Sequence, residues 1–300
     1  MSSREEYSTE EEHERLRNAL ALLESKPLHL WRLFREASLN GGACRDIVEK
    51  HVMCKLNGTD LKFFYDVNSE TRKLIKRSSR ADDLKKRFKI EEMSSISTLE
   101  VAWEHKSLWP RHWTETIFCS RVAKTNKLEL LKWAREEKKC EWDKYTINAA
   151  ARQGNLEMVK YCVANECSID REACARAAQN GHLECLKYLR EEVKAPWDEY
   201  TATLAAANGH LHILEYLVER KYDEYGVVFG DACKYAAENG HLDCLQYLHE
   251  TAKAPWDSEA VRKAHKNDHP DCLQYLLDND CPLPSGWSYE GGKLYTFADR

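Results

Sequence analysis

Apolar positions recur along the chain in a fixed block. The leucine of NKL, GNL, GHL, GHL and GHL serves as an anchor, giving Leu128, Leu156, Leu183, Leu211 and Leu242, with Pro270 in a sixth copy; the steps are 28, 27, 28, 31 and 28 residues. Three residues on stand Leu131, Val159, Leu186, Leu214, Leu245 and Leu273, and six on stand Ala134, Cys162, Leu189, Leu217, Leu248 and Leu276. An aromatic occupies anchor plus five in every copy: Trp133, Tyr161, Tyr188, Tyr216, Tyr247 and Tyr275. Apolar residues at 0, 2, 3 and 6 line one face of a helix, so each copy is expected to hold a helix running about ten residues from its anchor. The six aromatics lie on that face and are expected to form a buried ladder between successive copies.

A second helix is expected ahead of each anchor. Asn126, Gly154, Gly181, Gly209, Gly240 and Asp268 stand two residues before it, and these residue types best tolerate the left-handed backbone that ends a helix. Further upstream, Trp142-Asp143, Trp197-Asp198 and Trp256-Asp257, with Ile169-Asp170 in another copy, place an aspartate to accept from the first free amides. Trp113-Thr114 takes that place before the first copy. Ala150-Ala151, Ala177-Ala178, Ala205-Ala206 and Ala236-Ala237 follow, small enough for neighbouring copies to stack closely. Helix, glycine turn, helix and short return predict an all-α fold, an α-solenoid of about six repeats over residues 113–283.

GHLECLKYL and GHLDCLQYL, with AAQNG and AAENG before them, resemble the ankyrin repeat. The Thr-Pro-Leu-His start of that family is missing, and the period is short of its ~33 residues, so the hairpin fingers are expected to be stubs. The resemblance implies binding of a protein target on a concave side lined by first helices. Counted from the capping aspartate, positions four, seven and eight are small and apolar, whereas two, five and nine vary and are expected to be exposed. The expected target-binding residues are Tyr145, Asn148, Arg152, Glu172, Gln179, Tyr200, Thr203, Lys234 and Arg262. Past Leu283, Pro284 replaces the capping aspartate, so residues 284–300 are expected to form a cap or tail with Trp287 and Tyr289 folded back on the last repeat.

Residues 1–43 read as a lead of disordered and helical stretches, and residues 44–112 as a helical domain with linker helices. Within the latter, residues 44–78 resemble an F-box: Val52, Leu56, Asp60-Leu61, Val67, Arg72 and Leu74 follow its order of apolar helix, turn, Asp-Leu, valine and basic residue, although Cys44-Arg45 stands where that family has Leu-Pro. That resemblance implies docking on the adaptor subunit of a cullin-RING ubiquitin ligase through Val52, Met53, Leu56, Asp60 and Leu61. Taken without the resemblance, the same segment is a three-helix cap on the solenoid.

Composition narrows the chemistry. Of 300 residues 43% are hydrophobic and 32% charged, and the net charge is −5, which lacks the basic excess of a nucleic-acid binder. Neither a membrane span nor a signal peptide is visible, so cytosol or nucleus is expected, with 12 cysteines as free thiols and the chain a monomer. The basic run from Arg72 to Lys89 is interrupted by Asp82 and Asp83 and reads as a solvated face rather than a nuclear signal. His-x-x-Cys occurs at His51/Cys54, His182/Cys185, His241/Cys244 and His269/Cys272, which raises a thiol or zinc enzyme as a rival. Register opposes it: Cys185, Cys244 and Cys272 share a column with Leu130, Met158 and Ile213, where cysteine acts as a small apolar residue. No catalytic motif, cofactor or metal is expected. Two readings remain, an adaptor linked to a ligase and a plain ankyrin-type scaffold.

Overall fold

The computed structural model describes Lys76, residues 89–93, 95–104, Lys106, 109–220 and 229–296. The chain divides into two compact units, Met1–Glu104 and His105–Arg300. In the first, a 3-10 turn Ile90–Glu92 precedes helix α1 (Ile96–Glu104), with Ile90, Met93, Leu99 and Ala102 buried. The F-box-like segment lies outside the described residues apart from Lys76.

Among the described residues the second unit contains six helix pairs. First helices are α2 (Glu115–Ala123), α4 (Lys144–Arg152), α6 (Arg171–Gln179), α8 (Glu199–Ala207), α10 (Ala232–Glu238) and α12 (Ser258–Lys266). Second helices are α3 (Leu128–Lys132), α5 (Leu156–Ala164), α7 (Leu183–Lys187), α9 (Leu211–Glu219), α11 (Leu242–Glu250) and α13 (Pro270–Asp278). α3 and α7 continue as π-helical turns, Trp133–Glu137 and Tyr188–Glu192. Each first helix packs against the next, more intimately than the second helices do, because alanine and cysteine line the contact. Asp143, Asp170, Asp198 and Asp257 accept from the amides of Tyr145, Glu172, Tyr200 and Glu259 at 3.0 to 3.2 Å, as expected of helix caps.

The joint between the two helices of a pair is built with the following repeat. Gly154, Gly181, Gly209 and Gly240 have φ of 69–76°, and an added Cβ at each would meet the imidazole of His182, His210, His241 or His269 at 2.5–2.8 Å. Those imidazoles fill the space that glycine leaves. His182 Nε2 then donates to the Arg152 carbonyl and His210 Nε2 to that of Gln179, both at 3.1 Å, so two otherwise free carbonyls at helix ends are satisfied. Asn126, also left-handed at φ 61°, is matched instead by Asn155, whose amide donates to the Asn126 carbonyl and side chain.

The aromatic column is not a uniform ladder. Trp133 and Tyr216 are buried, whereas Tyr161, Tyr188, Tyr247 and Tyr275 are half-buried. Alternate members make a distinct contact. Tyr161, Tyr216 and Tyr275 donate their hydroxyls to Glu136, Glu191 and Glu250 of the preceding repeat at 2.9, 3.0 and 2.9 Å. Each ring meets Trp142, Trp197 or Trp256 edge-on, with centroids 5.9, 6.5 and 6.2 Å apart. The same tryptophan also carries Arg135 at 4.7 Å, Arg190 at 4.6 Å, or stacked His249 at 3.6 Å. Aromatic pairs and cation–π contacts each contribute about 0.5–1.5 kcal/mol, so these clusters tie repeats one to two, three to four and five to six. The array thus carries an added lock within three two-repeat units, on top of first-helix packing that is as close between those units as within them.

Both ends are covered. Trp109 stacks on Phe118 at 4.9 Å ahead of α2. After Leu283 the helical array is followed by a short β-hairpin, β1 (Ser288–Glu290) and β2 (Lys293–Tyr295), closed by Gly291-Gly292, both at positive φ. Trp287 lies edge-on to His265 at 5.0 Å and the Tyr289 hydroxyl accepts from Gln274 at 3.2 Å, so both aromatics rest on the last repeat.

Two fully buried hydroxyls, Thr146 and Thr201, have no partner among the described residues. They sit three residues after their capping aspartates, where α6 and α12 carry Ala173 and Ala260. Burying a hydroxyl without a hydrogen bond costs about 1–3 kcal/mol. Thr146→Val and Thr201→Val, which keep the volume and remove the hydroxyl, are each expected to stabilise the array by about 1 kcal/mol in urea unfolding. A loss of stability in both variants would mean the hydroxyls are satisfied in solution.

Candidate protein-binding face

The exposed edge of the first helices is set by the caps. Each capping carboxylate fixes the first turn, and the residue whose amide it receives projects away from the core. That residue is Tyr145 in α4 and Tyr200 in α8, 59% and 47% exposed, two large aromatics in one register two repeats apart. Arg152 is exposed at the far end of α4, and Arg262 is exposed on α12.

The expectation that position five also faces solvent is corrected in the earlier repeats. Asn148 is 6% and Thr203 7% exposed, and Ala175 is buried. Alanine-lined first helices approach so closely that this position is covered by the neighbouring helix. Lys234 is half-buried and holds Asp231 at 2.8 Å, and Arg262 donates its Nε to Glu259 at 2.8 Å. Glu172 and Gln179 are half-buried and both bind Arg176, a residue the variable-position argument passed over. The Asn148 amide is unusual: neither its nitrogen nor its oxygen has a partner among the described residues.

Along the first-helix N-termini, cations bridge successive repeats. Lys144 reaches the next capping residue, Asp170, at 2.9 Å, and Arg171 reaches Asp198 at 3.0 Å. The hydrogen bond and charge of Asp170 raise the Lys144 pKa. The next residue in that series is Glu199. There the row opens into a cavity of about 660 Å³, between α6, α8 and α10. It gathers Glu172, Tyr200 and Thr203 of the expected residues, together with Glu199, Asp231 and Tyr235, which lay outside the expected set. Asn148, Arg152, Gln179, Lys234 and Arg262 do not line it. The departure from Lys and Arg to Glu at the first helical position was the available sequence signal.

The cysteines have a different environment. All ten among the described residues are buried and unpaired, and burial pushes the thiols of Cys185 and Cys272 up to about 11 and those of Cys174, Cys233, Cys244 and Cys281 to about 12. The Cys167 thiol is instead lowered, chiefly by its hydrogen bond with Cys162. Among the described residues no helix is long and apolar enough to cross a membrane.

One solved structure similar to the chain is the crystal structure of the human ASB11 ankyrin repeat domain, 20% identical over 45% of this chain and 69% of that one, with a TM-score of 0.36. Among curated proteins, none matches. The family described as ankyrin repeats (3 copies) matches residues 119–196, 147–228, 177–254 and 203–286, overlapping windows that together span more than half of the chain. Repeats of this family are scaffolds for protein–protein contacts, and by the extent of that match the chain belongs to the ankyrin-repeat family.

Proposed function

We propose that this protein is an adaptor that holds a protein target on the exposed edge of its first helices. The observation that carries this reading is the pair Tyr145 and Tyr200, large aromatics left exposed in one register on α4 and α8. Exposed tyrosines with a flanking arginine suit the anchors that dominate binding energy. Changing Tyr145, Arg152 and Tyr200 together to alanine is expected to weaken target capture by tenfold or more, at about 1.4 kcal/mol per tenfold, with the melting temperature nearly unchanged. Undiminished capture by that variant would move the binding site elsewhere.

The second half of the proposal is ligase linkage. The F-box-like segment would dock on the adaptor subunit of a cullin-RING ligase through Val52, Met53, Leu56, Asp60 and Leu61, in the cytosol or nucleus. Leu56→Asp is expected to abolish a pull-down of that subunit while the repeats stay folded, since solenoid stability is mainly nearest-neighbour. A wild-type chain that captures no adaptor subunit would leave the scaffold reading alone.

A further inference from the structure

Asn148 carries an amide that the fold does not use. It is 6% exposed, and neither its nitrogen nor its oxygen has a hydrogen-bond partner among the described residues. In the next repeat the same position holds Ala175, also buried, so packing there does not call for an amide. A buried amide left unpaired is costly, and one donor beside one acceptor is the complement of a peptide group.

Its neighbours on α4 point the same way. Tyr145 and Arg152 stand three residues before it and four after it, hence on one stripe of the helix, and both are exposed. Lys144 lies over the Tyr145 ring at 5.7 Å, but the Tyr145 hydroxyl makes no hydrogen bond and Arg152 no ion pair among the described residues. Both side chains are therefore free to swing clear of the amide between them. A comparison within the chain locates a missing carboxylate. Glu238, the last residue of α10, holds Lys263 of α12 at 2.5 Å. The same two positions in repeats two and three are Arg152, the last residue of α4, and Arg176 of α6: two cations and no carboxylate. Arg176 turns back to Glu172 on its own helix. The other carboxylates around α4 are taken, Glu115 by Lys106, Glu157 by Lys160 and Asp170 by Lys144. Arg152 is left as an unbalanced cation beside an unpaired amide.

We propose that this stripe of α4 grips one extended linear segment of the bound protein at an acidic residue. Asn148 donates to the carbonyl and accepts from the N–H of one residue, two groups that point the same way from a strand. Arg152 takes the carboxylate of an aspartate or glutamate, and the Tyr145 ring packs on an apolar side chain at the other end of the grip. Tyr145 and Arg152 are about 10 Å apart along the helix axis, the reach of about three extended residues, so the apolar and acidic residues stand about three positions apart. The inference deepens the reading of the first-helix edge as the target-binding face and rests on it.

Random peptides displayed against the full-length chain provide the test. Selected peptides are expected to share an aspartate or glutamate about three positions from an apolar residue. Changing that acidic residue to its amide should weaken binding about tenfold on the wild-type chain, the scale of one charge-assisted hydrogen bond, and not at all on Arg152→Gln. Replacing the N–H groups between the two residues by ester oxygens, one at a time, should weaken binding at a single position. Asn148→Leu, which keeps the branched shape, should weaken the peptides about tenfold, abolish that ester effect and leave the melting temperature unchanged or raised. Asn148→Ala, which copies Ala175 and cannot overpack, should act on binding in the same way. An amide with a merely structural role would lower the melting temperature in both variants and leave peptide binding alone, which overturns the proposal. Peptides without a common acidic residue, an ester effect that persists in both Asn148 variants, or no enrichment at all would also overturn it. Peptides that fail these tests yet lose binding to Tyr200→Ala would keep the first-helix face and remove only the grip at Asn148. Peptides indifferent to Tyr145→Ala, Tyr200→Ala and every variant above would remove both.

Discussion

Tyr216→Ala is expected to destabilise the array by about 3–5 kcal/mol, and Tyr188→Ala, in the same sequence column, by clearly less. Tyr216 is 5% exposed, donates to Glu191 and sits edge-on to Trp197, whose ring also carries Arg190. Its removal empties a packed site and takes a bond from a carboxylate that then keeps only Arg220, at 2.7 Å, as a partner. Tyr188 is half-buried and its hydroxyl makes no hydrogen bond among the described residues, so less area and no charged bond are lost. Urea unfolding of the two variants measures the difference. Equal losses would mean that the two-repeat units are a geometric coincidence rather than energetic units. Hydrogen exchange gives a second readout. The Tyr216→Ala loss should concentrate in repeats three and four, because repeats couple mainly to their neighbours.

Gly154→Asn is the second large effect. Asparagine tolerates φ of 69°, as Asn126 does at 61°, so the backbone alone costs little. The side chain is the difficulty: its Cβ would lie 2.5 Å from the His182 ring, which must leave its groove and its bond to the Arg152 carbonyl. A loss of about 2–3 kcal/mol is expected, from the hydrogen bond together with overpacking. Asn126 and Asn155 show the alternative pairing within the same chain. The double variant Gly154→Asn/His182→Asn should therefore recover at least half of the loss in a thermal or urea melt. If the two substitutions simply add, the joint between repeats is not a matched pair.

These expectations separate what was legible along the chain from what was not. The repeat register, the aspartate caps and the left-handed joints could be read directly, because each depends on residues within one turn of one another. Asp143 and Gly154 announce their roles by residue type alone. The F-box-like order from Val52 to Leu74 could be read only as a pattern, and it stands as a proposal. Position five was misread at Asn148 and Thr203 for an identifiable reason. Helical periodicity says which side of a helix faces its own core, but not how near the next helix stands, and alanine contacts draw these helices close enough to cover that row.

The double-repeat units show the same division from the other side. Trp142, Trp197 and Trp256 were visible in alternate copies, yet as sequence they marked only the start of a helix. Their pairing with Tyr161, Tyr216 and Tyr275 joins residues 19 apart, and the glutamate bonds join residues 25 apart. The cavity at Thr203 is likewise shared by three helices from three repeats. Sequence by itself determined the helices, their ends and the family, since those follow from local backbone preferences and one apolar face per helix. Which repeats share an aromatic lock, which polar residues are covered, and where three first helices leave a cavity between them were decided by the tertiary structure, because each depends on distances between helices that no single helix encodes.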